Sequence, residues 1–405
     1  MTPNLVSQFL NEHNYDIRVT RNGRWIDQKC AFDTVSFVAD CVMNYLDNGG
    51  EEPFESPAIW REEYSIQNVM SLFGKPNPTK DSAKDEYNKF FRQPLKMFAA
   101  AGVMTECRKG SAIEFSVVNK DILSYIARRD RNSFDFICLY VEKTLKDSGM
   151  WDDFASFFDE QTKERYETLK DDFAQFCKKN TPINTSVEAG RIFNKVLNQL
   201  ACKYHKRGTE RGHMSKNIIT FDKVVYNKVN WYDNLTSKDK NVARSDYTPG
   251  KVKSSANYQY QVNKAIKYMK KYYKEHKHND PEVRDRYFSP GKCSAIHHIF
   301  PKSVFPQIAM KYENLIGLTS AQHMQEAHPN GNTQKINRDF QYQCLIVKAD
   351  NIRQNIEGDG TPVIYDFDEF MNVLDIGLNT NMFSGMPDGD FDAVLSGIAM
   401  NYPTT

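Results

Sequence analysis

Apolar residues recur at helical spacing through most of the first half of the chain. In Phe32 to Leu46, the residues Phe32, Val35, Val38, Ala39 and Val42 share one face, and Gly49-Gly50 follows as a stop, so a helix is predicted there. A shorter helix is predicted over Ser65 to Phe73, capped by Ser65 and ended by Gly74 and Pro76. A third spans about Lys80 to Ala101 and carries Lys84, Lys89, Arg92 and Lys96 on its polar side. Pro94 lies inside it and predicts a kink or a break into two pieces. Two strand-like stretches, Val103–Cys107 and Ala112–Val118, flank Arg108-Lys109-Gly110-Ser111, which predicts a β-hairpin with a basic tip.

Three helices followed by a basic hairpin is the order of a winged helix, whose third helix commonly enters a DNA groove, although such units also bind protein. Residues 1–120 are therefore expected to form a winged-helix-like DNA-binding domain, with Arg92, Lys96, Arg108 and Lys109 as its candidate contacts. Residues 121–205 read as all-helical, and the acidic piece around Asp152–Asp172 suits a solvent-facing spacer. At about His205 the character changes. KRGTERGHMSKN is polar, basic and broken by glycine, and it leads into the strand-like IITFDKVVYNKVNWY. Arg207 and Arg211 in the Gly-broken piece are further candidate DNA contacts. A long basic loop, Asp233 to Ser255, precedes a predicted helix from Tyr258 to His278 in which aromatics and lysines alternate.

Length and charge refine this organisation. A chain of 405 residues is expected to hold two or three domains. No run of 18 apolar residues predicts a membrane span, the N-terminus carries no basic-then-apolar signal, and the eight cysteines stand far apart. Scattered single cysteines suit buried thiols in a reducing compartment, so a cytoplasmic protein is expected. The net charge of +1 hides an asymmetry. From Lys203 to Lys302 there are 22 basic and 9 acidic residues; after Asn351 there are 1 and 9. A basic middle suits a nucleic-acid surface as well as a solvated one.

The chemistry concentrates in CSAIHHIFPKSVFPQIAMKYENLIGLTSAQHMQEAHPNGNTQ, where four of the nine histidines fall at 297, 298, 323 and 328. An apolar strand-like lead enters the His-His pair, a Pro-broken loop follows, and Glu313-Asn314-Leu315-Ile316 leads towards a helix carrying His323. This resembles the HNH (ββα-metal) nuclease family, whose pattern is an acidic residue or His, then His, a loop ending in Asn-Leu, and a His nine residues after that Asn. Here those positions are His297, His298, Asn314 and His323. The likeness covers about a tenth of the chain. It implies an α+β multidomain protein with a mainly helical N-terminal part and a C-terminal ββα-metal catalytic unit at about 290–340, inside a third domain of residues 206–405.

The resemblance implies His298 as general base, Asn314 as the residue that fixes the loop, and His297 and His323 as ligands of a divalent metal, Mg²⁺ or Mn²⁺. Many family members place a third ligand four residues after the helix His. Here His328 comes five later, followed by Pro329, so either His328 swings in from the helix end or the third ligand is water or Asn332. Lys302, just after the base, is a candidate phosphate contact. Cys293 stands alone, and Thr319 and Gln322 occupy positions where family members often carry zinc-binding cysteines, so the motif is of the zinc-free type. The residue types suit phosphodiester hydrolysis, because imidazole can accept a proton near neutral pH and a metal can act as Lewis acid.

The runs HHIFPKS, ENLIGLTSAQH and AHPNGNTQ look most like bacterial type II restriction endonucleases of the HNH class. That implies double-stranded DNA as partner, a homodimer where the site is palindromic, and a cognate DNA methyltransferase linked genetically rather than in a stable complex. The alternatives are a modification-dependent or mobile-element HNH endonuclease, and a winged-helix regulator whose HNH unit has decayed.

Overall fold

The computed structural model describes residues 3–73, 75, 77–78, 84–226, 256–284, 291–328 and 336–402. The expected loop Asp233–Ser255, the helix stop at Gly74 and Pro76, and Pro329 and Asn332 lie outside these. The chain divides into two compact units, Met1–Thr248 and Pro249–Thr405, both mixed from helices and small antiparallel sheets. Among the described residues no helix is long and apolar enough to cross a membrane.

In the first unit the helices are α1 (Pro3–Asn11), α2 (Ile17–Thr20), α3 (Phe32–Asp47), α4 (Ser56–Trp60), α5 (Glu63–Phe73), α6 (Lys84–Ala100), α7 (Lys120–Arg128), α8 (Asp130–Asp147), α9 (Trp151–Asp159), α10 (Lys163–Asn180) and α11 (Ser186–Lys203). The first sheet joins β1 (Phe54–Glu55), β2 (Met104–Lys109) and β3 (Ala112–Val117) in the order β1-β3-β2. Helix α3 buries far more than the expected stripe. Phe37, Cys41 and Met43 are buried along with Phe32, Val35, Val38 and Val42, because α6, α7 and α8 pack around it. That packing also removes the expected boundary at residue 120: α7 and α8 complete the core that α3 begins.

Three local expectations change. Pro94 is buried inside α6, yet the helix runs unbroken from Lys84 to Ala100. The β2–β3 turn is only Gly110-Ser111, since Lys109 pairs with Ala112 and Arg108 with Ile113; both basic residues sit in the strand, and Gly110 takes φ +61°. The acidic stretch 152–172 is more than a spacer, because Phe154, Phe157, Phe158, Tyr166 and Leu169 are buried between α9, α10 and their neighbours.

The polar segment around residue 210, expected as a loop, is a hairpin of β4 (Arg207–Glu210) and β5 (His213–Ile218). Its reason is tertiary. Asn198 on α11 accepts from the Thr209 backbone N at 2.7 Å and donates to its O at 3.0 Å, and the Tyr166 and Thr209 hydroxyls lie 2.7 Å apart. Gly208 lets the strand approach, as a Cβ there would stand 2.3 Å from Asn198 Oδ1. Arg211-Gly212 turns with both φ positive, +52° and +82°. The hairpin therefore belongs with α11, and the expected boundary near 205 disappears too. The strand-like reading after Ile218 is replaced at Phe221–Lys223 by a short 3₁₀ turn.

The second unit holds α12 (Ala256–His276), β6 (Ala295–His298), β7 (Leu315–Leu318), a π-helix (Gln322–Ala327), α13 (Arg338–Glu357), α14 (Phe367–Leu378) and α15 (Phe391–Asn401). Antiparallel β6 and β7 set His297 opposite Ile316 and His298 opposite Leu315. Met269 and Tyr273 of α12, Ile316 and Leu318 of β7, and Leu345, Phe370, Leu374 and Val394 of the last three helices share one core. Asn337, Asp366 and Asp390 cap those last helices with their side chains. Of the eight cysteines, none is bridged; six are buried, Cys293 is half-buried, and Cys107 is exposed on β2, against the expectation of buried thiols throughout.

Candidate metal centre and its flanking histidine

Successive strand residues face opposite sides, and β6 uses this at its end. His297 is 5% exposed, whereas its neighbour His298 is half-buried on the other side. His297 meets His323 of the π-helix and His328, the residue that ends that helix. The ring centres are 5.2 Å apart for His297 and His323, and 5.0 Å for each of the other two pairs. One nitrogen from each ring lies within 4.8 Å of the others, close enough for a single metal ion. Burial first, and then the neighbouring imidazoles, push His297 well below its ordinary value, and burial and His328 lower His323. These two rings are therefore neutral near pH 7 and keep a lone pair for a ligand. The donor set fits a divalent metal that accepts imidazole nitrogen; it does not select one.

The five-residue interval to His328 has a structural reason. In an α-helix five residues turn about 140° away from the starting face. A π-helix bonds i to i+5, so the fifth residue returns towards the first. The turn is opened by Thr319 and Gln322: the Thr319 N–H donates to Gln322 Oε1 at 3.0 Å, and the Gln322 N–H donates to Thr319 Oγ1 at 3.1 Å. This reciprocal pair is a capping box. Gln322 Nε2 also donates to the Val283 carbonyl at 2.7 Å, which anchors the helix start.

The loop from Ile299 to Asn314 is held shut over His298. Its Nε2 lies 3.0 Å from the Ala309 carbonyl oxygen. A carbonyl only accepts, so Nε2 carries the proton and the neutral ring keeps its lone pair on Nδ1. Burial, opposed by the Ala309 bond and reinforced by Lys302 and His323, lowers His298 to about 4. Asn314 is fully buried and ties three points of the loop. It accepts from the Phe300 N–H at 2.8 Å and donates to the Phe300 and Ile308 carbonyls at 3.0 and 3.3 Å. It positions the loop, and so the orientation of His298.

Lys302 is exposed in this loop, and its carbonyl accepts from Tyr258 Oη on α12 at 3.1 Å. The other sequence-derived cations lie in the first unit. Arg92 and Lys96 are on α6, with Lys96 3.8 Å from Glu106; Arg108 and Lys109 are on β2, with Lys109 2.8 Å from Glu114; Arg207 and Arg211 are on the β4–β5 hairpin.

Several supports were not apparent from the motif. Gln341 on α13 donates to the Ile299 carbonyl at 2.7 Å and accepts from Tyr402 Oη at 2.8 Å, fixing the residue next to His298. Behind β7, the Lys348 ammonium is fully buried and bonds Glu282 at 2.8 Å and Tyr365 Oη at 3.0 Å, while Glu282 also accepts from Asn351 and the Gly317 N–H. Gly317 has no room for a side chain, because a Cβ would lie 2.8 Å from both Cys293 Sγ and the Tyr273 ring. The Thr319-x-x-Gln322 box was legible as a pattern; the Glu282–Lys348 pair, 66 residues apart, was not. Comparison of the chain with family models, with curated proteins and with solved structures gave no match.

Proposed function

We propose that this chain is a metal-dependent, sequence-specific double-stranded DNA endonuclease of the HNH (ββα-metal) class, acting as a type II restriction enzyme. The observation that carries the proposal is the division of labour at the end of β6. His297 joins two other histidines that can hold one ion, and His298, facing away from it, has one nitrogen tied to Ala309 and the other left to accept a proton.

His297, His323 and His328 would hold the ion, with Mg²⁺ or Mn²⁺ the proposed occupants. When bound, it would supply a Lewis acid for the scissile phosphate and the leaving 3′ oxygen. The rest of the chemistry falls to the chain. His298 Nδ1 takes a proton from the attacking water, while the Nε2–H bond to Ala309 keeps the ring from rotating. Asn314 and Gln341 hold the two ends of that loop. Lys302 supplies positive charge for the phosphodiester on the same loop.

The order α3, β1, α4–α5, α6, β2–β3 with the sheet arranged β1-β3-β2 supports reading the start of the first unit as a winged helix. Arg92, Lys96, Arg108 and Lys109 are then its proposed DNA contacts, with Arg207 and Arg211 as a second set. The pairing of Lys96 and Lys109 with carboxylates means that DNA has to compete for them.

The test is cleavage of duplex DNA with added Mg²⁺ or Mn²⁺. His298→Ala is expected to lower the rate by roughly 10²–10⁴-fold with metal affinity retained, and EDTA is expected to abolish cleavage. Full activity in EDTA after exhaustive dialysis, or undiminished cleavage by His298→Ala, would overturn the proposal.

A further inference from the structure

Helix α12 carries five lysines and one glutamate. Tyr258, Val262, Ala265, Met269, Tyr272 and Tyr273 are buried along one side of it. Gln259, Asn263, Lys267, Lys270 and Lys274 are exposed. At about 100° per residue these five fall within about 80° of one another, so they form a single stripe, and Glu275 falls outside it. The ion pairs of this stretch are used elsewhere: Glu275 lies 4.0 Å from His276, and Asp359 takes Lys277 at 2.5 Å. Among the described residues no carboxylate lies within ion-pair distance of Lys270 or Lys274. Those two charges are not neutralised there.

The placement of α12 ties the stripe to the site. Ile296 and Gly317 pair across the β6–β7 ladder, and His298 follows two residues after Ile296, so all three share one face of the sheet. Helix α12 covers that face, because a Cβ on Gly317 would lie 2.8 Å from the Tyr273 ring, and the Tyr273 hydroxyl accepts from the Gly317 N–H at 3.2 Å. His297, with the other two metal-holding histidines, is on the opposite face. Tyr268 stacks on Tyr312 with ring centres 5.2 Å apart, and Tyr258 Oη donates to the Lys302 carbonyl at 3.1 Å. Helix α12 is thus braced against both ends of the loop over His298, and its first turn lies beside Lys302.

We infer that the exposed stripe of α12 is a docking surface for the sugar-phosphate backbone of duplex DNA, flanking the phosphodiester presented to His298. Lys270 and Lys274 stand twelve and sixteen residues beyond Tyr258, about 18 and 24 Å along the helix. That length matches a run of about 5 to 7 base pairs. Lysine is a point charge on a flexible stem, so it grips phosphate and carries no base information. The stripe therefore holds DNA of any sequence across the site, a task separate from the one proposed for the cations of the first unit. Its place beside the reacting phosphate rests on the endonuclease reading, while the docking itself is tested apart from cleavage.

The experiment is fluorescence anisotropy of labelled duplex DNA with the full-length protein, in EDTA so that nothing is cut, over a series of salt concentrations. Each phosphate contact adds about 0.9 to the slope of log affinity against log salt. Lys270→Gln combined with Lys274→Gln is expected to lower that slope by about 2. It is also expected to weaken every duplex sequence alike and to leave metal affinity unchanged. The control is Lys178→Gln combined with Lys179→Gln, an equal change of charge at the exposed end of α10, expected to move the slope by less than about 0.5. A slope lowered no further by the α12 pair than by the α10 pair overturns the inference, as does a parent protein that binds no duplex. Cleavage separates the two readings. A parent that cuts duplex in Mg²⁺ or Mn²⁺ while the α12 pair leaves the slope unmoved loses the docking surface alone. A parent that binds through the stripe but does not cut keeps the surface and loses the endonuclease reading.

Discussion

His298 and Asn314 act on one loop from its two ends, and they are expected to fail differently. Removing the His298 ring takes away a proton acceptor and only one hydrogen bond, to Ala309. Removing the Asn314 amide strands the Phe300 N–H and two carbonyls in a fully buried place. Asn314→Ala is therefore expected to cost about 2–4 kcal/mol of stability, read from denaturant unfolding, and to lower cleavage as well. A variant with unchanged stability would show that the loop does not depend on this cross-tie. Gly317, in the strand that closes the same loop, also lacks room for a side chain, and Gly317→Ala is expected to lower stability by about 1–3 kcal/mol, because Cys293 and Tyr273 flank it closely.

At the scale of elements, the π-helix decides whether His328 reaches His323 and His297. The sequence left two routes open for the third ligand because α-helical geometry carries the fifth residue round to another face. The wider turn brings it back. Deleting Gln325 shortens the interval to four and is expected to restore an α-helical turn with metal affinity within about tenfold of the parent. His328→Ala is expected to weaken metal binding by more than that. Metal titration followed by calorimetry separates the two; equal losses would mean that the turn, rather than the ligand, controls the site.

Across the whole molecule, the two units set what can be cut apart. The metal centre draws on α12, whose Tyr273 hydroxyl accepts from the Gly317 N–H of β7 at 3.2 Å, so a fragment starting near residue 280 would lose part of its core. Residues 249–405 retain it, and this fragment is expected to fold but to cut without sequence preference or not at all. Cleavage of the same defined site by the fragment would make the first unit scaffold. Each unit also carries a partnered carboxylate held well below its ordinary range. Burial raises Glu142, but Lys146, Lys203 and Tyr204 outweigh it and hold it at about 2; burial raises Asp359, but Lys277 and Thr361 likewise hold it at about 2. Because both lie below their unfolded values of roughly 4, their stabilisation is present above about pH 4 and is lost as pH falls towards about 2. Denaturation midpoints compared at about pH 6 and pH 3 should fall, and Glu142→Gln should flatten that fall in the first unit.

The sequence by itself determined the local features: the helices α3, α5 and α6 and the helical stretch after residue 120, whose apolar spacing needs no partner to be seen, the Gly110 hairpin, and the grouping of His297, His298, Asn314 and His323 in one short stretch. The capping box at Thr319 and Gln322 went unread there, although cap and helix are neighbours in the chain and the Thr-x-x-Gln spacing was in view. What only the tertiary structure decided depends on contacts between distant residues. The polar segment at 207–218 pairs as strands because α10 and α11 satisfy its backbone and Thr209, which hydropathy cannot register. The domain boundaries moved because α7, α8 and the hairpin complete a core begun by α3 and α11. The choice of His328, the proton on His298 Nε2 and the pairing of Glu282 with Lys348 follow from where a turn widens, where Ala309 lies and where α13 packs; each is a distance in space that chain order leaves free.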